Sequence, residues 1–290
     1  ITGGDDNDSL TGGSGKDTFN VDAGTDSIDD LGGAGAADEK DILIVSNTAT
    51  VNATNIIKFV ATTATKNEGT ASLTAKSTGG HIDMTLSTNG AYTITGSSQT
   101  DTLIGGIGGD TIVISSAGDG NSDTLDGGTG SDTLQLAAGS NIFSDNNKLK
   151  NIETILANSS GSVVTLTGQT EGFTITGGAG IDTITGGSGA DIIKGGAVND
   201  IISGGAGNDI ITIDSGTDKV KDLGGASGNE QDVIIVNAGA TLNAVDIMGF
   251  TATNATKNDS TDANNAVLTA KDGQNVTINV SLATGSSKAF

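Results

Sequence analysis

One nine-residue pattern constrains the fold of this chain more than any other feature. The pattern is Gly-Gly-x-Gly-x-Asp-x-U-x, where U is a large apolar residue, and six stretches match it at every position. The six matches are residues 12–20, 105–113, 127–135, 177–185, 186–194 and 204–212. Weaker copies adjoin them at 3–11, 21–29, 96–104, 195–203 and 213–221. A short fixed period of this kind predicts a repeat fold in which each unit stacks on its neighbours.

The residue types within the unit predict both a backbone path and a chemistry. Glycines at positions 1, 2 and 4 permit positive φ and a tight turn that lets backbone carbonyl groups point inward. The segment x-U-x after the Asp is a minimal strand with U on one face. Two units then complete one coil of a parallel β-solenoid, so unit n stacks on unit n+2. The turns collect carbonyl and carboxylate oxygens without Lys or Arg, which is an environment suited to Ca²⁺.

Composition excludes several other kinds of site. The chain has 290 residues, 46 Gly, no Cys, no Pro and a single His, so it holds neither a disulfide framework nor a thiolate metal site. Its 35 acidic and 13 basic residues give a net charge of −22, which argues against a nucleic-acid partner. No apolar run is long enough to predict a membrane span.

These repeats resemble the repeats-in-toxin (RTX) family of Ca²⁺-binding β-rolls, which bacteria secrete through a type I exporter. The resemblance implies several Ca²⁺ ions, each between unit n and unit n+2, and a set of carboxylate ligands paired across that spacing. The implied pairs are Asp8/Asp26, Asp101/Asp123, Asp110/Asp132, Asp182/Asp200, Asp191/Asp209 and Asp200/Asp218, while Asp17 would pair with whatever follows Asp30. The implied backbone ligands are the turn carbonyls at Gly3, Gly12, Gly105, Gly127, Gly177, Gly186, Gly195 and Gly204.

Further candidates lie beside the perfect repeats. Asp30 and Asp222 flank degenerate copies and are either ligands or turn acids. Asp119 and Asn121 begin an Asp-x-Asn-x-Asp run that resembles an EF-hand loop, but the run lacks the expected Gly and final Glu. Both an extra Ca²⁺ site and a polar turn remain open for it.

Two copies also depart from the pattern at position 4. They carry Asp6 and Val198 where the repeat has glycine. Since neither residue readily adopts positive φ, we expect weaker or differently shaped sites beside them.

The chain carries an internal duplication. Residues 3–33 align with 195–225, and 16 of the 31 positions are identical. We therefore divide the whole chain into six predicted segments. They are β-roll blocks at 1–41, 96–135 and 177–232, small β-structured modules (β-modules) at 42–95 and 233–290, and a metal-free solenoid spacer at 136–176. Alternating apolar residues around Gly-containing turns predict an antiparallel hairpin in each module. The first would join 73–76 to 81–87, and the second would join 268–271 to 276–282.

The predicted fold class is therefore all-β. We expect right-handed parallel β-roll or β-solenoid blocks with Ca²⁺ in the turns, interrupted by the small β-modules. Each coil should be narrow and filled by one layer of Ile, Leu or Val, with no room for large rings. Because apolar burial in such thin coils is small, folding should depend on Ca²⁺ binding.

Three functions fit these features, and we expect none of them to involve an enzyme activity of this chain. The first is a Ca²⁺-dependent structural protein of the bacterial cell surface, such as a surface-layer or matrix subunit that self-associates into sheets or filaments. The others are an adhesin or filament module, and the C-terminal export and folding region of a secreted enzyme or toxin. All three imply a secreted protein. If a surface polysaccharide is bound, we expect regions outside this chain to bind it. We also expect Ile1 to be the first residue of a fragment of a longer protein. The C-terminal tail loosely resembles an export signal.

Overall fold

The computed structural model describes residues 1–33, 40–118, 122–224, 230–247, 249–253, 255–259, 266–270 and 278–279. These residues contain thirty strands and no helix. The first fourteen strands are β1 (Ser9–Leu10), β2 (Thr18–Val21), β3 (Thr25–Ile28), β4 (Ile42–Val45), β5 (Thr50–Ile56), β6 (Lys58–Val60), β7 (Lys66–Asn67), β8 (Thr70–Ala75), β9 (His81–Asp83), β10 (Tyr92–Thr95), β11 (Thr102–Ile104), β12 (Thr111–Val113), β13 (Thr124–Asp126) and β14 (Thr133–Gln135). The others are β15 (Gly139–Ile142), β16 (Leu149–Lys150), β17 (Thr154–Leu156), β18 (Ser162–Thr165), β19 (Thr174–Gly178), β20 (Thr183–Thr185), β21 (Ile192–Gly196), β22 (Ile201–Ser203), β23 (Ile210–Ile213), β24 (Thr217–Lys221), β25 (Val233–Val236), β26 (Thr241–Ile247), β27 (Phe250–Thr251), β28 (Lys257–Asn258), β29 (Ala266–Ala270) and β30 (Ile278–Asn279).

The chain divides into two compact units, and each is a stack of parallel strands. Unit 1 comprises residues 1–136 and 147–154, and unit 2 comprises 137–146 and 155–290. In unit 1 the strands run in the orders β1-β3-β5-β8-β10-β12-β14, β2-β4-β7 and β16-β13-β11-β9-β6. In unit 2 the orders are β17-β19-β21-β23-β25-β28, β15-β18-β20-β22-β24-β26-β29 and β27-β30. Successive strands along the chain alternate between sheets, which is the path of a β-solenoid, so the predicted fold class is confirmed.

The apolar position of each repeat forms a single-file ladder inside the coils. In unit 1 the aligned residues along one sheet are Leu10, Ile28, Ala53, Leu73, Ile94, Ile112 and Leu134. In unit 2 an equivalent ladder contains Ile175, Ile193, Ile211 and Ile234. All of these side chains are buried. The residues on either side of each ladder point outward, since side chains alternate along a strand.

The expectation that rings would not fit inside the coils is wrong. Phe19, Phe59, Tyr92, Phe143 and Phe173 are each at most 2% exposed. The Tyr92 hydroxyl lies 2.6 Å from Ser87 Oγ, so its polar end is hydrogen-bonded within the interior. The coils therefore have enough width for a ring, and the low aromatic content has another cause.

The predicted antiparallel hairpins are also wrong, because every described strand pair of both modules is parallel. β8 pairs with β5 and β10, while β9 pairs with β6 and β11 in a different sheet. The turn between them is held by other coils: the Gly80 N–H donates to Asp101 Oδ1 at 2.6 Å, and the His81 N–H donates to the Ile57 carbonyl at 2.9 Å. In the second module β29 pairs with β26 and β30 with β27, and the predicted turn lies outside the described residues.

Glycine-like backbone conformations recur at equivalent places in both units, and some are occupied by other residues. The duplication continues beyond the repeat block, with 41–45 aligned to 232–236. In this alignment Thr48 has φ of 76° where Gly239 has 83°, and Asn55 and Asp246 have 56° and 59°. At position 4 of its repeat, Val198 adopts φ of 66°, whereas Asp6 keeps a negative φ. The repeat geometry thus forces a β-branched residue into the left-handed region at Val198, where it costs about 1–2 kcal/mol.

Replacing Val198 by glycine should relieve this strain. The side chain is 45% exposed, so little packing is lost, and we expect V198G to raise the free energy of unfolding by about 1 kcal/mol. Urea denaturation in saturating Ca²⁺ measures the change. The control is V163G, at a residue that is 39% exposed and lies within a regular strand, where glycine should lower stability by about 0.5–1 kcal/mol. A loss of stability in V198G would contradict the strain at this turn.

Candidate metal centre

The repeat turns bring glycine and aspartate of one unit into close contact. A Cβ on Gly127 would lie 2.7 Å from Asp132 Oδ2, and a Cβ on Gly105 would lie 2.5 Å from Asp110 Oδ2. At Gly130, φ is 145° and a Cβ would overlap the Gly108 carbonyl of the neighbouring coil. Glycine is therefore required for two reasons, since a side chain would collide with both the carboxylate and the adjacent backbone.

The aspartates form ladders from coil to coil. In each of the six pairs that the RTX resemblance implies, the Oδ1 atom of the second aspartate accepts the backbone N–H of the first, which lies in the preceding coil. These pairs, with their N···O distances, are Asp8–Asp26 (3.0 Å), Asp101–Asp123 (2.8 Å), Asp110–Asp132 (2.6 Å), Asp182–Asp200 (2.8 Å), Asp191–Asp209 (2.8 Å) and Asp200–Asp218 (2.9 Å). Asp17, whose partner the sequence left open, donates to Asp41 Oδ1 at 2.9 Å.

A second carboxylate oxygen is left without a partner in seven of these residues. The buried Oδ2 atoms that accept no hydrogen bond belong to Asp17, Asp26, Asp132, Asp182, Asp200, Asp209 and Asp218. A buried carboxylate oxygen without a donor is unfavourable unless something neutralises it. No three Asp, Glu or His side chains among the described residues are close enough to bind one metal ion, so a cation here needs backbone carbonyls beside its carboxylates. Hard oxygen ligands of these two kinds suit Ca²⁺.

Carbonyl groups are present at the same turns. The carbonyl oxygens of Gly127, Gly195 and Gly204 face the first glycine of the preceding coil, at Gly105, Gly177 and Gly186. The carboxylate and these carbonyls therefore approach the same glycine from two coils. The ligand roles of all the predicted residues stay predictions.

Other repeat aspartates have both oxygens occupied by backbone N–H groups. Asp110 accepts from Tyr92 at 2.6 Å and Gly106 at 2.8 Å, and Asp191 accepts from Phe173 at 2.7 Å and Gly187 at 3.0 Å. Asp101 likewise accepts from two backbone N–H groups. These three carboxylates connect coils without needing a cation, although each oxygen keeps a second lone pair.

The remaining candidates have different surroundings. Asp30 accepts the N–H groups of Gly12 and Gly13 at 3.0 and 2.6 Å, and Asp222 accepts those of Gly204 and Gly205. Both carboxylates hold the glycine turn of the preceding coil. Asp119 and Asn121 lie outside the described residues.

Sequence reasoning missed three acids in the same ladders, of which Asp41 and Asp232 are buried and Glu153 is exposed. Asp41 and Asp232 are at most 2% exposed and accept the N–H groups of Asp17 and Asp209. Glu153 Oε2 accepts the Asp132 N–H at 2.7 Å. Each acid stands two residues before a buried apolar residue, as in the repeat. The second half of the pattern without the glycines, with Asp or Glu as its acid, would therefore have found them.

Burial sets the protonation of the ladder. It raises the pKa of Asp209 and Asp218 to about 7, and repulsion by neighbouring carboxylates adds to the effect. Burial also raises the pKa of Asp132, Asp182 and Asp232 to about 6. The charged form of these groups is thus disfavoured in the folded chain as long as no cation is bound.

The fold and these turns define a class, namely parallel β-solenoids with calcium sites between their coils. A model of the RTX calcium-binding nonapeptide repeat matches residues 1–28, 88–112, 117–144, 174–202 and 185–220. The chain therefore carries RTX calcium-binding nonapeptide repeats, with sites for several Ca²⁺ ions. Comparison with curated proteins and with solved structures gives no match. Among the described residues, no helix is long and apolar enough to cross a membrane.

The raised pKa values predict how pH acts on the metal-free fold. A carboxyl with a folded pKa of about 6–7 and an unfolded pKa of about 4 binds protons more tightly when folded. Its contribution to stability is complete below about pH 4 and is lost as pH rises through 7. In EGTA, the free energy of unfolding should therefore increase as pH falls from 8 to 5, as measured by urea denaturation. In Ca²⁺ the apparent metal affinity should fall over the same range, because protons and Ca²⁺ compete. A metal-free stability that does not change with pH would contradict the raised pKa values.

Two substitutions of Asp by Asn test the difference between aspartates with an unpartnered Oδ2, such as Asp200, and those with both oxygens hydrogen-bonded, such as Asp191. In D200N the amide oxygen still accepts the Asp182 N–H while the unpartnered charge is removed, so we expect fewer bound Ca²⁺ ions and no loss of stability in EGTA. In D191N the amide nitrogen faces the Gly187 N–H, donor against donor, so stability should fall by about 1–3 kcal/mol with or without Ca²⁺. Ion counts by equilibrium dialysis, together with denaturation in both buffers, measure these effects. Equal behaviour of the two variants would show that the distinction is wrong.

Proposed function

We propose that this chain is part of a structural protein of the bacterial cell surface that orders and self-associates when it meets extracellular Ca²⁺. The observation that carries the proposal is the set of seven buried carboxylate oxygens without partners, in a chain of net charge −22. Without a cation these groups oppose the stacking of coils, and a bound Ca²⁺ reverses their effect. Binding to the folded state alone stabilises that state by mass action.

The difference in free Ca²⁺ concentration between the cytoplasm and the outside of the cell then determines where the chain folds. RTX repeat proteins are typically secreted, and extracellular calcium modules bind with a Kd of about 10⁻⁴–10⁻³ M. Such sites stay empty at the low free Ca²⁺ of the cytoplasm, where the carboxylates without a cation lower the stability of the fold and so favour export. They fill outside the cell, where Ca²⁺ stabilises the solenoid.

The build of the chain favours a structural role over a catalytic one. Each unit contains one copy of the duplicated repeat block and module, and its coils continue from that block into the module. Unit 2 also exposes apolar side chains, with Ile181 68% and Val163 39% exposed around an open hollow of about 290 Å³. Exposed apolar residues of this kind are suited to contacts between subunits.

The same repeats would equally serve as the export and folding region of a secreted enzyme or toxin. That alternative shares Ca²⁺-dependent folding with the structural proposal but not assembly. An adhesin or filament module is intermediate between the structural protein and the export region, because it would form extended particles.

Electron microscopy of the chain with millimolar Ca²⁺ tests the proposal. We expect sheets or filaments in Ca²⁺, monomers in EGTA, and a gain of β structure by circular dichroism when Ca²⁺ replaces EGTA. The matched control is Mg²⁺ at the same ionic strength, which screens charge but requires a smaller octahedral site and should give neither change. A β spectrum that is independent of Ca²⁺ would refute coupled folding, while folded but strictly monomeric chains at high concentration would favour the export-region alternative.

A further inference from the structure

The outward face of the seven-stranded sheet of unit 2 carries lysines but no acid at its paired positions. Strand pairing in this sheet, from β15 to β29, places the outward residues in two rows. One row includes Val163, Lys219 and Val267, and the other includes Lys221. Neither row contains Asp or Glu. Asp246, the one exposed acid in these strands, lies at the bulge of β26 outside both rows.

Both lysines point away from the coils. Lys219 and Lys221 are exposed and alternate with buried residues along β24. The ion pairs found among the described residues involve other lysines. On the same face Val163 and Val267 are 39% and 49% exposed. In a chain of net charge −22, a face that combines positive charge with exposed apolar side chains is suited to contact with a partner.

The internal duplication shows that the coils do not require these lysines. In the alignment of 3–33 with 195–225, Lys219 corresponds to Ser27 and Lys221 to Asp29. Ser27 and Asp29 are also exposed. The same coil therefore forms in unit 1 without a lysine at either position, so stacking of the coils does not explain the positive charge in unit 2.

Unit 1 carries the opposite charge at another place in the same alignment. Asp5 and Asp6 lie in the turn before β1, and both are exposed. Unit 2 has Ala197 and Val198 at the aligned positions. No ion pair found among the described residues includes either aspartate. The two copies of the duplicated block thus differ in opposite senses, since one has added acids in a turn and the other has added lysines on a sheet.

We propose that the face around Lys219 and Lys221, here called the lysine face, binds the turn with Asp5 and Asp6 in unit 1 of a second copy of this chain. The inference rests on the proposed function and names the contact through which copies associate. Opposite charges select the partner and fix its register. The exposed valines beside the lysines lose contact with water when the turn of the second copy covers them.

This contact joins two different surfaces, and each copy carries one of each. Such a heterologous contact repeats from copy to copy and gives an open filament or sheet unless the rotation closes a ring. The alternative, a lysine face packed against the lysine face of another copy, would bring like charges together and end at a pair of chains. The charges therefore favour continued growth.

Two charge-reversed chains test the contact. We expect K219E/K221E and D5K/D6K each to remain monomeric in millimolar Ca²⁺, because each presents like charges at the contact. An equimolar mixture should assemble, since the acidic turn of the first chain meets the lysine face of the second, and the basic turn of the second meets the reversed face of the first. Light scattering and electron microscopy measure assembly.

The matched control is K58E/K150E, which makes the same change of net charge on outward positions of β6 and β16 in unit 1 and should assemble as the wild type does. Circular dichroism and the number of bound Ca²⁺ ions check that each variant is folded. If a charge-reversed chain does not fold, K219Q/K221Q or D5N/D6N replaces it. These neutral variants should raise the lowest concentration that assembles by about tenfold.

The possible results separate this inference from the proposed function. Wild-type chains that stay monomeric in Ca²⁺ would refute the self-association on which the inference rests. Assembly of the wild type together with equal assembly of folded K219E/K221E, or a mixture of folded variants that stays monomeric, would overturn the lysine face alone. An anionic polysaccharide is the other occupant that lysines suit. Retention of the wild type on a dextran sulfate column that K219E/K221E loses, with unchanged assembly, would assign the face to a polysaccharide and overturn the proposal.

Discussion

The hydrogen bond from a backbone N–H to an aspartate Oδ1 in the next coil is the interaction on which the rest of this structure depends. It repeats along both edges of the coils at distances of 2.6–3.0 Å. The bond sets the spacing of stacked coils, satisfies a donor that the turn would otherwise bury, and places a negative charge in the interior. Because only one oxygen is used, the second must be satisfied by another N–H group or by a cation. The calcium chemistry therefore follows from the way the coils are joined.

The partner of the second carboxylate oxygen differs between aspartates that the sequence does not distinguish. Asp191 and Asp200 occupy the same position of adjacent repeats, yet Asp191 accepts a second N–H from Gly187 while Asp200 Oδ2 has no partner. The difference arises in the turn four residues earlier, where the N–H either points at the carboxylate or does not. Some aspartates thus have both oxygens hydrogen-bonded in the metal-free chain, while others need Ca²⁺ for the second oxygen. A chain without Ca²⁺ therefore keeps part of the hydrogen bonds that join its coils.

The nine-residue period predicted the solenoid and the coil-to-coil pairs because both follow from a fixed spacing. Strand direction in the modules was not predictable in the same way, since alternation of apolar residues is identical for parallel and antiparallel strands. The parallel path depends on distant partners, such as the bond from Gly80 to Asp101, that no local pattern records. Asp41 and Asp232 were missed because the segments that separate them from the preceding Gly-Gly pair are longer than in the repeat, although the acid before the strand is kept. The buried rings show that the width of a coil also cannot be inferred from the repeat alone.

The positions of Asp41 and Asp232 explain how a calcium-binding block can continue into a module without the repeat. Each accepts two N–H groups, one from the last repeat aspartate and one from the glycine of the closing turn. The carboxylate ladder thereby ends on a residue that needs no cation, and the apolar ladder continues into the module without interruption, as from Ile211 to Ile234. The first coil of each module rests on the last coil of the repeat block. Because that repeat coil contains a carboxylate oxygen without a partner, the order of the module depends on how the charge of its neighbour is neutralised.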